Sequence, residues 1–506
     1  MLRRNIIANY LGQFWTVLIG IALIPLYINY LGLSSFGLIG LFTLISTILG
    51  LLDQGLKSTL SREMARFTGG ENTTQYVREL LRSIEVVIFF IATLIIILIH
   101  SFSDLIALSW IESSELSTET ISSSVSVMGF VVGLRLIQYI YSSCISGLQK
   151  QVLLNGVLIF VETLRGFGAI IVLAFISPTI SAFFIWQAVV TFFGVIILCI
   201  STYKILPECK KKISYSSEAI KSVWGYSKGV LGITFLALIL TQADKILLIN
   251  LLTLSEYGLY TFAAIVANII FFSISPITNA FFPKFSEQVV LNNKDSINES
   301  YHLSAQLVSV FAGSIALVLA TFSNEFLIAW TQDNELTNQA SKLLTLLVLG
   351  NLLNGLMWVP YQMQLAHGWT SLSIKVNASA LILIIPSLLY FVPLYGVTAA
   401  AWIWIVLNIS YILVPIHIMH RKILVGEQWS WFFKDTLFPL LAGTMTVLLF
   451  SYFSPDIQSL PLKILYLVLV GFSVLVASVL CASRIRSLTL SSIKLFFIKR
   501  INFKNS

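Results

Sequence analysis

About fourteen stretches of 20 or so predominantly apolar residues follow one another along this chain, and each is long enough to cross a bilayer as a helix. That serial pattern constrains the fold more than any motif. Backbone in hydrocarbon must satisfy its own hydrogen bonds, so spanning structures are helical bundles or closed barrels. The runs are continuous rather than alternating, which excludes a transmembrane β-barrel. Only 11% of the 506 residues are charged and 57% are hydrophobic, whereas a soluble chain carries roughly 25% charged residues. Most of the surface therefore faces lipid.

The apolar windows predict helices over 6–31, 37–57, 83–102, 123–146, 152–176, 179–203, 226–252, 258–282, 303–323, 341–366, 372–392, 396–418, 436–453 and 461–482. Arg3 and Arg4 precede the first run, which is too long for a signal-peptide core and lacks a small-residue cleavage site. It is expected to be a retained span. The net charge of +8 does not indicate nucleic acid, because the basic residues cluster in alternate loops. Arg62, Arg66, Arg78 and Arg82 follow the second helix, Lys210, Lys211 and Lys212 the sixth, Arg421 and Lys422 the twelfth. The opposite loops are short and acidic, as with Glu112, Glu115 and Glu119. The positive-inside rule then places both termini in the cytoplasm. Cys144, Cys199, Cys209 and Cys481 show no metal-like spacing, and neither metal nor disulfide is inferred.

One segment has an echo. Leu31-Gly-Leu-Ser-Ser-Phe-Gly-Leu38 enters helix 2, and Leu252-Thr-Leu-Ser-Glu-Tyr-Gly-Leu259 enters helix 8. Six helices separate the copies, so they have the same orientation. The expectation is an all-α polytopic membrane protein with two six-helix lobes in parallel repeat and a C-terminal helix pair. The lobes would cover 1–215 and 216–420, with 421–506 forming helices 13–14 and a basic tail.

Ionisable groups inside spans are rare and costly, about 2.5–3.5 kcal/mol each at a helix centre on insertion scales. Here Arg135, Glu162, Arg165, Asp244 and Lys245 interrupt apolar runs. Mostly cationic, they point to a wet cavity that takes an anionic cargo. Arg135, Gln138 and Tyr139 share one helical face, as do Asn155, Glu162 and Arg165 on the next helix, and Asn351, Asn354 and Tyr361 on helix 10. These are the candidate substrate-binding residues, together with Lys245. Asn and Gln also glue helices together, and that bland role is the favoured one for an isolated amide. Asp244, Glu162 and Asp53 are candidates for ion coupling or charge pairing; Glu162, three residues from Arg165, serves equally as its counter-ion.

The segments Asn9-Tyr-Leu-Gly12, Pro25-Leu-Tyr-Ile-Asn-Tyr-Leu-Gly32, Leu52-Asp-Gln-Gly-Leu56, Ser61-Arg-Glu-Met-Ala65 and Tyr257-Gly-Leu-Tyr-Thr261 resemble the polysaccharide transporter family. They look most like its Wzx-type O-antigen flippases, which share a superfamily (MOP) with the MATE exporters and the lipid II flippases. The resemblance implies a two-lobed, alternating-access bundle in the bacterial inner membrane. It would move an undecaprenyl-diphosphate-linked oligosaccharide from the cytoplasmic to the periplasmic leaflet. It implies no enzymatic activity and no cofactor beyond H+ or Na+ coupling. Expected partners are the lipid-linked glycan, membrane lipids, a polysaccharide polymerase and a chain-length regulator, and no nucleic acid. Rival expectations are a MATE-type ion-coupled small-molecule antiporter, with an acid-dominated cavity, and a membrane-embedded glycan polymerase or transferase, with a large outer loop.

Overall fold

The computed structural model describes residues 2–68, 73–109, 115–209, 213–221, 245–369, 371–455 and 459–488, with a few single residues between these stretches. Among the described residues every regular element is helical. Eleven helices are long and apolar enough to span a membrane, or twelve if one bent pair counts as a single span. The chain is a multi-pass helical membrane protein. The expected fourteen spans are not reached among the described residues, for two reasons. Most of the expected seventh helix, 226–252, lies outside them. The first two expected helices are also divided differently.

The first six elements are α1 (Leu2–Ala22), α2 (Ile24–Thr68), α3 (Thr74–Ser109), α4 (Thr118–Gly147), α5 (Gln151–Phe175) and α6 (Ile180–Ile205). The expected single helix 6–31 breaks after Ala22, beside Pro25, whose missing N–H interrupts the backbone ladder. The expected loop before helix 2 is reduced to a kink at Gly32, with φ 77° and ψ 169°. Only glycine adopts such a backbone freely. Helix α3 starts nine residues before its apolar window. Val77, Leu80, Leu81 and Ile84 bury one face of that extension, and spacing of three and four residues makes an amphipathic turn out of otherwise polar sequence. Ser117 and Thr179 cap α4 and α6 by accepting from the N–H groups of Thr120 and Ala182.

The remaining elements are α7 (Leu254–Ala267), α8 (Ile269–Val290), α9 (Lys294–Thr321), α10 (Ser323–Thr331), α11 (Asn334–Leu356), α12 (Trp358–Ala366), α13 (Ser371–Tyr395), α14 (Val397–Leu413), α15 (Pro415–Lys422), α16 (Gln428–Tyr452) and α17 (Leu460–Cys481). Within α16, Trp431–Leu437 is π-helical. The chain divides into two compact units, Met1–Leu259 and Tyr260–Ser506. In the first, α4 packs against α2, α3 and α6, while α5 packs against α1 and α6. In the second, α9 packs against α8, α11, α16 and α17. Of the apolar window of α4, 67% is buried, against 17% for α3 and for α17. Those outer helices leave apolar side chains such as Phe90 and Phe472 for lipid.

The two copies of the echo meet inside the first unit. A Cβ added to Gly37 would lie 2.2 Å from the carbonyl oxygen of Leu254, and one added to Gly258 would lie 2.3 Å from that of Leu33. Gly37 and Gly258 occupy the same place in the two copies, as do Leu33 and Leu254, so the contact is reciprocal. Small residues let helix backbones approach this closely, which is how helices associate in lipid. The second copy begins with a capping box, in which Thr253 and Glu256 exchange backbone and side-chain hydrogen bonds at 3.0 and 3.3 Å. Gly37→Ala or Gly258→Ala forces a backbone shift and should destabilise the protein by about 1–3 kcal/mol. Gly471→Ala, where nothing lies within 4 Å, should be neutral or stabilising by up to about 1 kcal/mol. Thermal unfolding of the three purified variants checks the order.

Candidate functional site

Within the first unit, α1, α2, α4, α5 and α6 line an open cavity of ≈ 520 Å³. Helix α2 presents Thr43, Ser46 and Thr47, which share a face by their three- and four-residue spacing. Helix α4 adds Arg135 and Tyr139, α5 adds Glu162 and Arg165, and α6 adds Phe183 and Gln187. The walls are mixed, with apolar aromatics set among hydroxyls, an amide and three charges. Lipid cannot solvate such a lining, so it faces water or cargo.

The two arginines are held differently. Arg165, 11% exposed, pairs with Glu162 one turn earlier on α5, and its Nη2 donates to Thr191 Oγ1 at 3.3 Å. Its charge is matched within its own helix. Arg135 lies near the middle of α4 with its guanidinium carbon 4.7 Å from the centroid of the Phe42 ring, a cation–π contact. Among the described residues it has no hydrogen-bond acceptor and no carboxylate partner, and its Nε is buried without a partner. Ser46 Oγ is likewise buried and unpartnered. Among the described residues the lining thus holds two guanidinium groups against one carboxylate, a surplus of one positive charge, and that surplus sits on Arg135. Guanidinium offers planar, charge-assisted donors suited to phosphate oxygens.

Tyr27 on α2 fixes the wall between α2 and α5: its hydroxyl donates to the Gly166 carbonyl at 3.2 Å and its ring meets Phe183 edge-on at 5.2 Å. A Cβ at Gly166 would collide with Ile19 and Leu23, so glycine here lets α5 lie close to the first helix.

Of the residues singled out from sequence, Arg135, Tyr139, Glu162 and Arg165 line this cavity. Gln138 is buried, with only 6% exposure, and is not part of the lining. Asn155 donates to Asn9 Oδ1 at 2.6 Å and to the Gln151 carbonyl at 2.8 Å, bridging α5 to α1. In the second unit, Asn351 donates to Asn268 at 3.1 Å and accepts from Trp404 at 2.9 Å. Asn354 donates to Asn408 at 2.8 Å and accepts from Trp358 at 3.3 Å. Both amides tie α11 to neighbouring helices. Tyr361 on α12 is exposed, and Lys245 is half-buried. Asp244 and the side chain of Asp53 lie outside the described residues. The lining residues Phe42, Tyr27 and Gln187 were not anticipated. The hydroxyl face of α2 was visible as a Thr/Ser spacing, but Phe42 and Tyr27 look like any other aromatic in an apolar run.

Residues 2–289 match the family described as "Polysaccharide biosynthesis protein". No curated relative matches the chain in sequence. Among solved structures, the lipid II flippase MurJ in an inward closed conformation aligns at 14% identity with a TM-score of 0.67, covering 94% of this chain and 98% of that one. An inward-facing multidrug resistance MATE transporter of the MOP superfamily aligns at 14% identity and TM-score 0.63, covering 80% and 96%. The MATE multidrug transporter DinF-BH aligns at 14% identity and TM-score 0.57, covering 83% and 95%. At these identities the likeness is one of fold alone.

The pairing of Arg165 has a measurable consequence. Glu162→Gln leaves a half-dry guanidinium without its carboxylate and should lower stability by about 1–3 kcal/mol. That is less than the 3–5 kcal/mol of a fully buried pair, because Glu162 keeps contact with the cavity. Adding Arg165→Gln should recover part of the loss. A thermal-denaturation cycle on the four proteins checks this; strictly additive losses would show that the pair contributes nothing.

Proposed function

The chain belongs to the polysaccharide biosynthesis protein family, and on that premise we propose that it is a flippase for an undecaprenyl-diphosphate-linked oligosaccharide such as an O-antigen repeat unit. It moves this lipid from the cytoplasmic to the periplasmic leaflet of the bacterial inner membrane by alternating access, with both termini in the cytoplasm. The observation that carries the proposal is the guanidinium of Arg135, which among the described residues has no counter-charge, in a cavity of mixed lining at mid-helix. A half-buried cation such as Arg135 without a counter-charge needs water or an anion to complete its shell. The diphosphate of a lipid-linked sugar supplies oxygens of the right charge and geometry. Tyr139, Gln187, Thr43 and Thr47 offer the hydroxyl and amide groups that a hydrated glycan needs on its way past hydrocarbon. The likeness in fold to a lipid II flippase supports a lipid-linked cargo.

A MATE-type antiporter for cations is less well supported. Among the described residues Glu162 is the one carboxylate in the lining and is already engaged by Arg165, so the described part of the lining offers a cationic drug no spare negative charge. No nucleotide-binding signature GxxxxGK[ST] occurs in the sequence, so the driving force comes from an ion gradient or from consumption of the product. Asp244 remains the proposed coupling residue.

Deleting the gene should trap lipid-linked repeat units on the cytoplasmic leaflet and abolish the surface glycan; a normal surface glycan rejects the proposal. Complementation with Arg135→Ala should reduce export roughly ten- to hundredfold, the loss expected for one charge-assisted phosphate contact. Arg135→Lys should retain part of it. Membrane levels of each variant, read by blotting, separate loss of export from loss of insertion.

A further inference from the structure

Three ionisable side chains of the second unit meet where α9 packs against the start of α16. His302 lies on α9, Asp435 in the π-helical part of α16, and Glu427 directly before α16. Nδ1 of His302 meets Asp435 Oδ2, and Nε2 lies 3.0 Å from Glu427 Oε2. The side chains of His302 and Asp435 are each 2% exposed and that of Glu427 is 30% exposed. A buried ring is thus held between one dry carboxylate and one wetted carboxylate.

The proton count of this arrangement is informative. A neutral imidazole has one N–H and one lone pair, so it can donate to a single carboxylate. Its other nitrogen would then set a lone pair against a carboxylate oxygen. Both contacts become hydrogen bonds only if the trio holds one proton more than a neutral ring and two carboxylates. No lysine or arginine side chain pairs with Asp435 or Glu427 among the described residues. What faces them is neutral: Gln306 Nε2 donates to Asp435 Oδ1 at 2.9 Å and Asn298 Nδ2 to Glu427 Oε1 at 3.2 Å. From beyond α17, Ser483 and the backbone N–H of Arg484 reach only Gln306. The other titratable groups beside the trio are Tyr301 and His420, which bond each other at 3.0 Å, and His417, which bonds Gln428 at 2.6 Å.

We propose that His302, Asp435 and Glu427 form a proton-binding site, and that the bound proton latches the 423–427 segment and the start of α16 onto α9. On release, the proton leaves Nε2 for water by way of the wetted Glu427 carboxylate. Asp435 keeps the remaining ring N–H, and Glu427 turns to solvent. Gly426, at φ 90°, gives the segment a backbone pivot beside Glu427. π-helical turns of the kind that carries Asp435 are frequent at functional sites. The latched state binds one more proton than the released state, so the latch weakens as pH rises through the range in which the site titrates, and tightens as pH falls. The proposal does not depend on which cargo the first unit binds.

Hydrogen exchange of the 423–437 region, measured by mass spectrometry on the full chain in lipid nanodiscs from about pH 6 to about pH 9, tests it. Protection factors, corrected for intrinsic exchange, should fall in the wild type by roughly tenfold per pH unit across the titration. Glu427→Gln is the discriminating variant. Its amide can donate to Nε2 of a neutral ring while Nδ1–H stays on Asp435, so the latch closes without an added proton. Protection should then stay within about twofold of the low-pH wild-type value throughout. A contact that is only structural predicts instead that Glu427→Gln loses protection at every pH, and that result overturns the proposal. So does pH-independent protection in the wild type, or an unchanged pH dependence in Glu427→Gln. His302→Gln should also abolish the pH dependence; if it fails to fold, the partly exposed Glu427 still provides the test.

Discussion

A guanidinium that has no counter-charge among the described residues, in the middle of a membrane helix, sets the terms for the rest of the first unit. Placing Arg135 in close-packed hydrocarbon would be prohibitive, so the surrounding helices cannot close on it. The sequence around it meets that requirement. Thr43, Ser46 and Thr47 turn one face of α2 polar, Gly20 and Gly50 leave room, and Phe42 offers the face of its ring to the cation. Arg165 shows the opposite solution. Its charge is answered one turn away by Glu162, so it holds the cavity's shape while Arg135 holds its charge. The sequence already offers Glu162 to Arg165 at a three-residue spacing, and the structure makes that pair.

Length and periodicity made most of the helices legible. Helices α4, α5 and α6 begin and end within a few residues of the apolar windows, because hydrophobic length is what the bilayer selects. Features that depend on neighbours were harder to read. The extension of α3 from Thr74 is driven by burial of Val77, Leu80 and Leu81 against the bundle, which no hydropathy window detects. The break after Ala22 and the kink at Gly32 rearrange one expected loop into a pair of bends. Among polar residues, a helical stripe shows which side of a helix is polar but not what it meets. Asn155, Asn351 and Asn354 lie on such stripes, and each is engaged by an amide or indole of a neighbouring helix. Arg135 was legible for the converse reason, since few neighbours can neutralise a guanidinium. His302 and Asp435 escaped notice because each sits one residue outside an expected apolar window, where charge is unremarkable.

The reciprocal approach of Gly37 and Gly258 gives the internal echo a physical role. Two short copies with the same orientation can meet symmetrically only if each offers a small residue where the other offers a carbonyl oxygen, and here both do. The match Leu-x-Leu-Ser-x-Ar-Gly-Leu, with Ar aromatic, therefore coincides with a contact between its two copies. The large residues Phe36 and Tyr257 precede the two glycines and are buried, which fixes the register of both copies.

Lipid adds little hydrophobic drive for one helix to bind another, because the tails are as apolar as leucine. Helix contacts in this protein then differ in strength mainly through close packing and polar joints. The glycine crossing is a packing joint and is insensitive to solution conditions. The Glu85 knot on α3, where Tyr141 and Tyr203 donate at 3.0 and 2.9 Å, is a polar joint around one carboxylate with enough donors to satisfy it. The His302 joint differs in kind, since two carboxylates compete for a ring that can serve both only with an extra proton. Of these three, it alone needs an added proton to complete its own hydrogen bonds. An element that changes position during a transport cycle has to be held by a contact whose strength can be altered from outside, and the proposed proton site would hold α16 and the segment before it in that way.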